Sequence, residues 1–338
     1  MDVLKIAILG LTDQGQQLLA AACCLEYFKL VAVADKDARL AEKIGEKYNC
    51  KWYDDYRQLI MQNQLDCLIV AEALYACTEC VNIAIKNKTH ILKAAPAAPD
   101  FETAKRLALF AKQQQVKFAI ANPARFETGF IKLRQMMEAG QIEQTCLISA
   151  FCSIGKDKCQ TWEDDKKLAG GGVLLRNCYQ IIDQIILNFD RPEQVYAFVT
   201  SQAQDRKQRL FKTEDTCVVT LKFSEKLCAN IVATRAYGVD EQEFKVYAKQ
   251  KSVTIKNGSF VLYDSAGKII EEVDYTAEKD GAFLRLMEDF AMSLILPDKP
   301  LCSDIEGNLA NMAVIECAYL SSRTAMPEEP GRIFQFSQ

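Results

Sequence analysis

A glycine-containing turn follows the first apolar run of the chain. The run Leu4–Leu9 ends at Gly10, and the next residues have the pattern Gly10-x-Thr12-x-x-Gly15. In dinucleotide sites of the form Gly-x-Gly-x-x-Gly, the first glycine permits a tight turn and the second lets the backbone approach the pyrophosphate. The third lets the helix pack closely on the sheet. Thr12 stands at the second position, so the turn predicts a dinucleotide site whose pyrophosphate path is narrowed by a side chain.

A carboxylate stands at the end of the second predicted strand. Asp35 follows the run Leu30–Ala34 and lies 20 residues after Gly15, where an acidic side chain can bind ribose hydroxyls. A 2′-phosphate would face this carboxylate, so NAD is favoured over NADP, and Lys36 beside it softens that preference. Ala71, at the end of a later buried strand, completes the predicted cofactor-binding set. The alternative interpretation is an ordinary strand-to-helix turn with a solvated aspartate.

Short apolar runs alternate with helix patterns over residues 1–122. This alternation is typical of a parallel sheet covered on both faces, so we predict an α/β fold that begins with a Rossmann-type doubly wound domain. Residues 123–338 read as a run of strands closed by helices, which predicts an α+β domain with an open, largely antiparallel sheet. The predicted strands are 4–9, 30–34, 67–71, 90–92 and 117–121, then 146–151, 195–200, 216–223, 229–235, 243–248, 252–255 and 259–263. The predicted helices of the second domain are 130–139, 172–187, 281–294 and 302–324.

Composition excludes several classes of function. The 338 residues carry 41 Lys and Arg against 45 Asp and Glu, a net charge of −4 that gives no footprint for nucleic acid. No apolar run approaches the roughly 20 residues that cross a bilayer, and the N-terminus lacks a signal peptide. His90 is the single histidine, which excludes a metal site of two imidazoles, and we expect no metal.

The fourteen cysteines are scattered along the chain. This usage indicates reduced thiols in a cytoplasmic protein, where cysteine acts as a small hydrophobic residue. Cys77 and Cys80 form the one tight pair, which could be a redox or metal half-site. We favour packing, because no second pair accompanies it.

Several segments, taken together, resemble those of a known protein family. Gly170, Gly171 and Gly172 lie within the segment 162–183, Thr213-Glu214-Asp215-Thr216 precedes a predicted strand, and the last helix contains Ser321-Ser322-Arg323. With the two-domain order and the strand that ends at Asp35, residues 4 to about 330 resemble the Gfo/Idh/MocA family of NAD(P)-dependent sugar and polyol oxidoreductases. The resemblance implies a dinucleotide-binding domain followed by a substrate and oligomerisation domain.

The positions that match the family's catalytic residues depart from its pattern. The family's Glu-Lys-Pro is matched by Ala94-Ala95-Pro96, and the Asp and His that follow its triple glycine are matched by Arg176 and Gln180, while Asp183 is retained. The family's Thr-Pro-Asn-x-x-His is matched by the segment 72–77, which ends in cysteine. The usual lysine, aspartate and histidine are therefore all absent, and we assign no catalytic residue.

Oxidation of an alcohol by a nicotinamide needs a base for the hydroxyl proton, and such assistance is worth about 10²–10⁴-fold. Ala95 carries no proton, Gln180 does not titrate and Arg176 stays protonated. Two substitutes are open to test. Lys93 has the same facing as Ala95 on an extended strand, and Tyr179 could act as a phenolic acid, although on a helix it points about 100° away from Gln180.

Two arginines admit a ligand-binding interpretation. Arg176 and Arg125, which lies at the domain junction, could together bind a carboxylate or phosphate, so the ligand would be an anionic small molecule. We favour the alternative that Arg176 pairs with an acidic neighbour such as Glu72 and fills the pocket.

The predicted second sheet must hide the face that its helices leave open. We therefore expect a homodimer or homotetramer formed through residues of about 215–265. The candidate apolar residues are Val218, Leu221, Phe223, Ile231, Phe244, Val246 and Val261.

The sequence is compatible with three functional classes. The first is a divergent NAD(P)-dependent oxidoreductase that uses other residues for the chemistry. The second is a catalytically silent relative that binds a dinucleotide or another small molecule as a sensor, and the third is a structural subunit. We favour a family member that has a degenerate NAD(P) site and does not run the usual lysine-dependent hydride transfer.

Overall fold

The chain folds into two units, which we describe separately. The computed structural model describes residues 3–155, 161–202, 212–236, 238–296 and 298–336. The first unit consists of residues 1–98, 102–123 and 280–308, and the second of residues 99–101, 124–279 and 309–338. Residues 280–308, which the sequence analysis placed with the second domain, therefore group with the first unit.

A six-stranded parallel sheet forms the first unit. Its strand order, β3-β2-β1-β4-β5-β6, is that of the dinucleotide-binding fold. All four residues of β4 are buried, as expected for a strand covered by helices on both faces. The predicted Rossmann-type sheet is confirmed, and β3 is a short edge strand that the sequence analysis did not predict. The strands are β1 (Leu4–Leu9), β2 (Phe28–Ala34), β3 (Lys51–Tyr53), β4 (Cys67–Val70), β5 (His90–Ala94) and β6 (Phe118–Ala121).

An eight-stranded mixed sheet forms the second unit. Its order is β14-β13-β12-β11-β7-β10-β9-β8, and β7 and β10 are its parallel pair among antiparallel neighbours. The open, largely antiparallel sheet is thus confirmed, with β14 as an additional edge strand. The strands are β7 (Thr145–Ser153), β8 (Gln194–Thr200), β9 (Thr216–Lys222), β10 (Cys228–Thr234), β11 (Glu241–Ala248), β12 (Lys251–Lys256), β13 (Ser259–Asp264) and β14 (Ile269–Asp274).

One helix differs from its prediction in a way that affects the site. The sequence predicts a continuous helix over 172–187, but the structure has two helices, α8 and α9, on either side of Asn177. The amide of Cys178 bonds to the carbonyl oxygen of Val173, five residues back, which widens the turn and interrupts the helix. The helices are α1 (Asp13–Cys23), α2 (Ala38–Tyr48), α3 (Tyr56–Gln62), α4 (Leu74–Lys86), α5 (Phe101–Gln113), α6 (Thr128–Glu138), α7 (Lys166–Ala169), α8 (Val173–Arg176), α9 (Tyr179–Phe189), α10 (Lys279–Ile295), α11 (Ile305–Thr324) and α12 (Pro330–Phe336).

The two faces of the second sheet differ in what covers them. Phe130 of α6 packs edge-on against Phe244 of β11, with ring centroids 5.3 Å apart, so this face is the core of the unit. Alternate residues along a strand point to opposite faces, so Leu221, three residues after Val218, lies on the other face. Four of the residues that the sequence analysis assigned to an open face point into the core for this reason. These four are Leu221, Ile231, Phe244 and Val246, each buried.

The opposite face carries a row of apolar side chains in register. Phe198 pairs with Val218, Val218 with Val232, and Val232 with Phe151, across four adjacent strands. Phe198 and Val218 are 57% and 40% exposed, whereas Val261 of β13 and Phe223 are half-buried.

Within the described residues, none of the helices has the length and apolarity that crossing a bilayer requires.

Candidate functional site

The turn between β1 and α1 has the backbone of a dinucleotide site. Gly10 has φ +87°, and a Cβ there would lie 2.6 Å from the carbonyl carbon of Ala71. A Cβ at Gly15 would lie 2.1 Å from the carbonyl oxygen of Gly10. Both positions therefore require glycine, the first for the turn and the second for the packing of α1 on the sheet.

Thr12 caps helix α1 with its side chain. Its hydroxyl accepts a hydrogen bond from the amide of Gly15 at 3.2 Å and donates to the carbonyl oxygen of Ala71 at 3.1 Å. The first amides of a helix have no partner inside the helix and attract anions. One of these amides, that of Gly15, already donates to the Thr12 hydroxyl, so it is not a free donor for a pyrophosphate.

Asp35 holds the loop that surrounds this turn. One carboxylate oxygen, Oδ2, accepts from the amide of Leu11 at 2.7 Å, and Oδ1 accepts from the amide of Asp37 at 2.9 Å. Lys36 is exposed beside it. Each carboxylate oxygen has a second lone pair for a ribose hydroxyl. The glycine turn, the helix N-terminus and this carboxylate fit a dinucleotide, with Thr12 as the one constriction.

Lys93 lies at the end of β5, directly before the tripeptide Ala94-Ala95-Pro96. It is one of the two substitutes considered above for the family's lysine, and its side chain is only 2% exposed. Its ammonium donates to the carbonyl oxygens of Ala94 at 3.0 Å and Pro96 at 2.6 Å. The Ala95–Pro96 peptide bond is cis. Lys93 therefore ties this tripeptide to the strand with two of the three N–H donors of its ammonium.

Cys77 and Cys80 of α4 are both buried. The Cys77 thiol donates to the carbonyl oxygens of Glu72 and Ala73, and the Cys80 thiol donates to that of Cys77. Burial raises the pKa of both thiols, and the ammonium of Lys93 offsets this only in part. Thiols held in this way are inert in redox and metal chemistry, which favours packing over a redox role.

The single histidine also has a structural setting. His90 is the first residue of β5, and its Nδ1 accepts a hydrogen bond from the amide of Lys117 at 3.0 Å. Burial lowers its pKa, with Lys117 adding to the effect, so the ring favours the neutral form. Nδ1 is thus an acceptor that serves the sheet.

Arg125 forms a buried ion pair in the second unit. Its Nε donates to Asp183 Oδ2 at 2.7 Å and its Nη2 donates to Oδ1 at 2.5 Å, a bidentate pair. Asn311 of α11 also donates to Oδ1, at 2.7 Å. The Asp183 carboxylate has no exposed surface, so this pair joins the segment after β6 to helices α9 and α11.

Gln180 is used to hold the same segment. Its side-chain oxygen Oε1 accepts from the amide of Ala124 at 3.3 Å, next to Arg125. Gln180 and Asp183 are three residues apart on α9 and lie on one side of it. Tyr179, the proposed phenolic substitute, is fully buried.

Arg176 at the end of α8 is also paired. Its Nη2 donates to Glu163 Oε1 at 2.8 Å, and its guanidinium carbon lies 4.4 Å from the centre of the Trp162 ring. The expectation that Arg176 pairs with an acidic residue is thus met by Glu163, thirteen residues before it, rather than by the example we named. Glu72 accepts a hydrogen bond from the amide of its own neighbour, Ala73.

A second arginine supports the acidic segment that contains Glu163. Arg235, at the end of β10, donates to Asp164 Oδ1 at 2.9 Å and to the hydroxyl of Thr213 at 2.6 Å. That hydroxyl donates to the carbonyl oxygen of Glu163 at 2.6 Å. No sequence pattern predicts this cluster, because its members come from separate segments of the chain and have no regular spacing.

The arrangement has a clear chemical limit. Of the two second-unit positions that match the family's acid and base, Gln180 cannot titrate and Arg176 keeps its charge. Within the described residues, no group of His, Cys, Asp and Glu is arranged to hold a metal ion.

Comparison with known proteins identifies the class to which this architecture belongs. Residues 4–122 match the family described as "Oxidoreductase family, NAD-binding Rossmann fold", and residues 130–254 match the "GFO/IDH/MocA C-terminal domain". The chain therefore belongs to the Gfo/Idh/MocA oxidoreductase family.

The similarity to a yeast protein is low and covers part of the chain. An uncharacterized oxidoreductase of Schizosaccharomyces pombe, C115.03, is 23% identical over 182 residues, which are 52% of this chain and 49% of the yeast protein. The chain thus spans about half the length of the curated relative it matches.

Solved structures share the whole fold. An oxidoreductase from Agrobacterium radiobacter, in complex with NAD+, L-tartaric acid and magnesium, has a TM-score of 0.84 at 15% identity, covering 98% of this chain and 100% of its own. The WlbA dehydrogenase from Bordetella pertussis, in complex with NADH and UDP-GlcNAcA, has a TM-score of 0.81 at 15% identity, covering 97% and 99%.

The Arg125–Asp183 pair gives the first prediction. Arg125→Met and Asp183→Leu should each lower the free energy of unfolding by about 3–5 kcal/mol, because each leaves a buried charge without its partner. The double variant removes both charges and should lose clearly less than the sum of the two single losses. Urea unfolding of all four proteins measures this coupling, and additive losses would contradict it.

Proposed function

We propose that this protein binds a nicotinamide dinucleotide in its first unit and a small molecule in its second unit, without running the lysine-dependent hydride transfer on sugars or polyols. One observation carries the proposal. The two second-unit positions that match the family's acid and base hold side chains already engaged in structure: Arg176 pairs with Glu163, and Gln180 holds the amide of Ala124.

The first unit supports NAD as the cofactor, in preference to NADP. Gly10, Gly15 and the N-terminus of α1 would receive the pyrophosphate, and the Asp35 carboxylate would receive the ribose hydroxyls. That carboxylate would repel a 2′-phosphate. The complexes of the Agrobacterium protein with NAD+ and of WlbA with NADH are consistent with this choice. Thr12 lowers the affinity, since its hydroxyl occupies the amide of Gly15.

The chemistry explains the proposed loss of activity. A bound nicotinamide supplies a hydride acceptor, but the alcohol must also lose a proton. Ala95 provides no ammonium, and Lys93 has its ammonium committed to two carbonyl oxygens. Tyr179 is fully buried. These contacts disfavour the alternative of an active enzyme with substitute residues and favour a ligand-sensing role.

The charge of the small molecule is less constrained than the sequence implied. Arg125 and Arg176 suggested an anion, but Asp183 and Glu163 neutralise them. We therefore retain a small-molecule ligand and do not require it to be an anion. All described cysteines are free, which supports a reducing compartment, and we propose the cytoplasm.

Cofactor binding can be measured directly. Calorimetry of the full chain should show NADH binding about tenfold more tightly than NADPH, a difference of about 1.4 kcal/mol. Thr12→Gly should tighten NADH binding several-fold by freeing the amide of Gly15, and Asp35→Ala should abolish the preference for NADH. Selective binding of NADPH, or no binding of any dinucleotide, would refute the cofactor proposal.

Turnover gives a separate test of the catalytic proposal. We expect no measurable reduction of NAD or NADP with inositol, glucose or related polyols, monitored by absorbance of the reduced nicotinamide. An ordinary enzymatic rate of about 1 s⁻¹ or more with such a polyol would overturn the proposal. Lys93→Met and Tyr179→Phe would then identify the substitute residue.

We also propose that the protein is a homodimer or homotetramer formed through the open face of the second sheet. The row of Phe198, Val218, Val232 and Phe151 supports this.

A charge placed in this row should separate the copies. Val218→Lys should convert the protein to a monomer in light scattering, because the burial of an unpaired ammonium opposes association. Leu109→Lys is the matched control, since Leu109 is an exposed leucine of α5 in the other unit. A monomeric unmodified protein, or an unchanged mass in Val218→Lys, would refute this interface.

A further inference from the structure

A cavity in the second unit lies apart from the positions discussed above. It has a volume of about 410 Å³, within the usual range for small-molecule sites. It lies between the end of β8, the segment before β9, helix α7 and one face of helix α11. Neither Arg176 nor Gln180 lines it.

A buried carboxylate forms part of the cavity wall. Glu214 is only 8% exposed, and its Oε1 accepts three hydrogen bonds: from the amide of Gly172 at 2.9 Å, the amide of Leu174 at 3.0 Å and the hydroxyl of Tyr319 at 2.8 Å. No described residue donates to the other oxygen, Oε2. Because Oε1 fixes the carboxylate in place, Oε2 is a preorganised acceptor for a donor in the cavity.

One face of helix α11 contributes a series of side chains to the cavity wall. Met312, Ile315, Glu316, Tyr319 and Arg323 all line the cavity, and their spacing of three and four residues places them on one face of the helix. The wall therefore runs from apolar side chains, through a carboxylate and a phenol, to a guanidinium. Val199 and Pro99 extend its apolar end.

Both signs of charge meet at this cavity. Lys166, Lys212 and Arg323 line it together with Asp100, Glu214 and Glu316. Arg323 Nη2 and Glu316 Oε1 are 3.9 Å apart, at the limit of an ion pair. A ligand with charge of one sign would meet repulsion from half of these groups, whereas a ligand with adjacent charges of both signs is matched by all of them.

We propose that this cavity binds a small zwitterion, an α-amino acid with an apolar side chain. Its ammonium lies between Glu214 Oε2 and Glu316, and its carboxylate lies at Arg323 and the neighbouring lysines. Its side chain packs on Met312 and Ile315. The site is independent of the dinucleotide site, so it can be tested whether or not a dinucleotide binds.

Three related compounds separate the two charges. In calorimetry with the full chain, leucine should bind at least tenfold more tightly than leucine methyl ester, which lacks the carboxylate. It should exceed 4-methylpentanoate, which lacks the ammonium, by a similar factor. D-gluconate, an anion without an ammonium, should bind no better than 4-methylpentanoate.

Two variants place the binding in this cavity. Arg323 and Glu316 lie on a helix surface. Arg323→Gln and Glu316→Gln should each weaken leucine binding about tenfold. Arg332→Gln is the matched control, because Arg332 is an exposed arginine that pairs with Glu329 outside the cavity. Its leucine affinity should equal that of the unmodified protein.

Each other result overturns the proposal. No heat from leucine up to about 10 mM would exclude an amino acid site of useful affinity. Equal binding of 4-methylpentanoate or gluconate would show an anion site, and equal binding of the methyl ester would show a cation site. Leucine binding that Arg323→Gln and Glu316→Gln leave unchanged would place the amino acid elsewhere.

Discussion

The second unit depends on one carboxylate, that of Glu214. Its side chain gathers the amides of Gly172 and Leu174 and the hydroxyl of Tyr319, and its own backbone oxygen accepts from the amide of Val173. The contact is so close that a Cβ at Gly172 would lie 1.9 Å from that backbone oxygen. Glycine is therefore required at position 172 by this approach of backbone to backbone. It sets where α8 begins, and with it the place of Arg176.

Charge compensation explains how the unit tolerates an arginine where the family has an acid. Arg176 has gained Glu163 as an ion-pair partner and Trp162 as a stacking surface, and Arg235 supports the same segment through Asp164. An uncompensated charge in this half-buried setting would destabilise the fold. The residues at these positions thus form a stable arrangement of their own.

In the first unit, Lys93 and Thr12 likewise make hydrogen bonds that hold the fold. The tripeptide that matches Glu-Lys-Pro has lost both polar side chains, and Lys93, two residues before Ala95, supplies an ammonium that binds the tripeptide's carbonyl oxygens. Thr12 supplies a helix cap where a glycine would leave space. Both side chains satisfy hydrogen bonds within the unit, which keeps the form of a dinucleotide site.

The sequence by itself determined the two sheets, the glycine turn, the position of Asp35 and the absence of a titratable group at Ala95 and Gln180. These features depend on local periodicity and on residue type, which tertiary structure does not alter. Only the tertiary structure decided which partner neutralises Arg176, that Arg125 is paired with Asp183, and that Lys93 is buried. Those contacts join residues far apart in the chain, so no spacing reveals them. The facing of Leu221, Ile231, Phe244 and Val246 also needed the structure, because a shift of one residue in a strand exchanges its two faces.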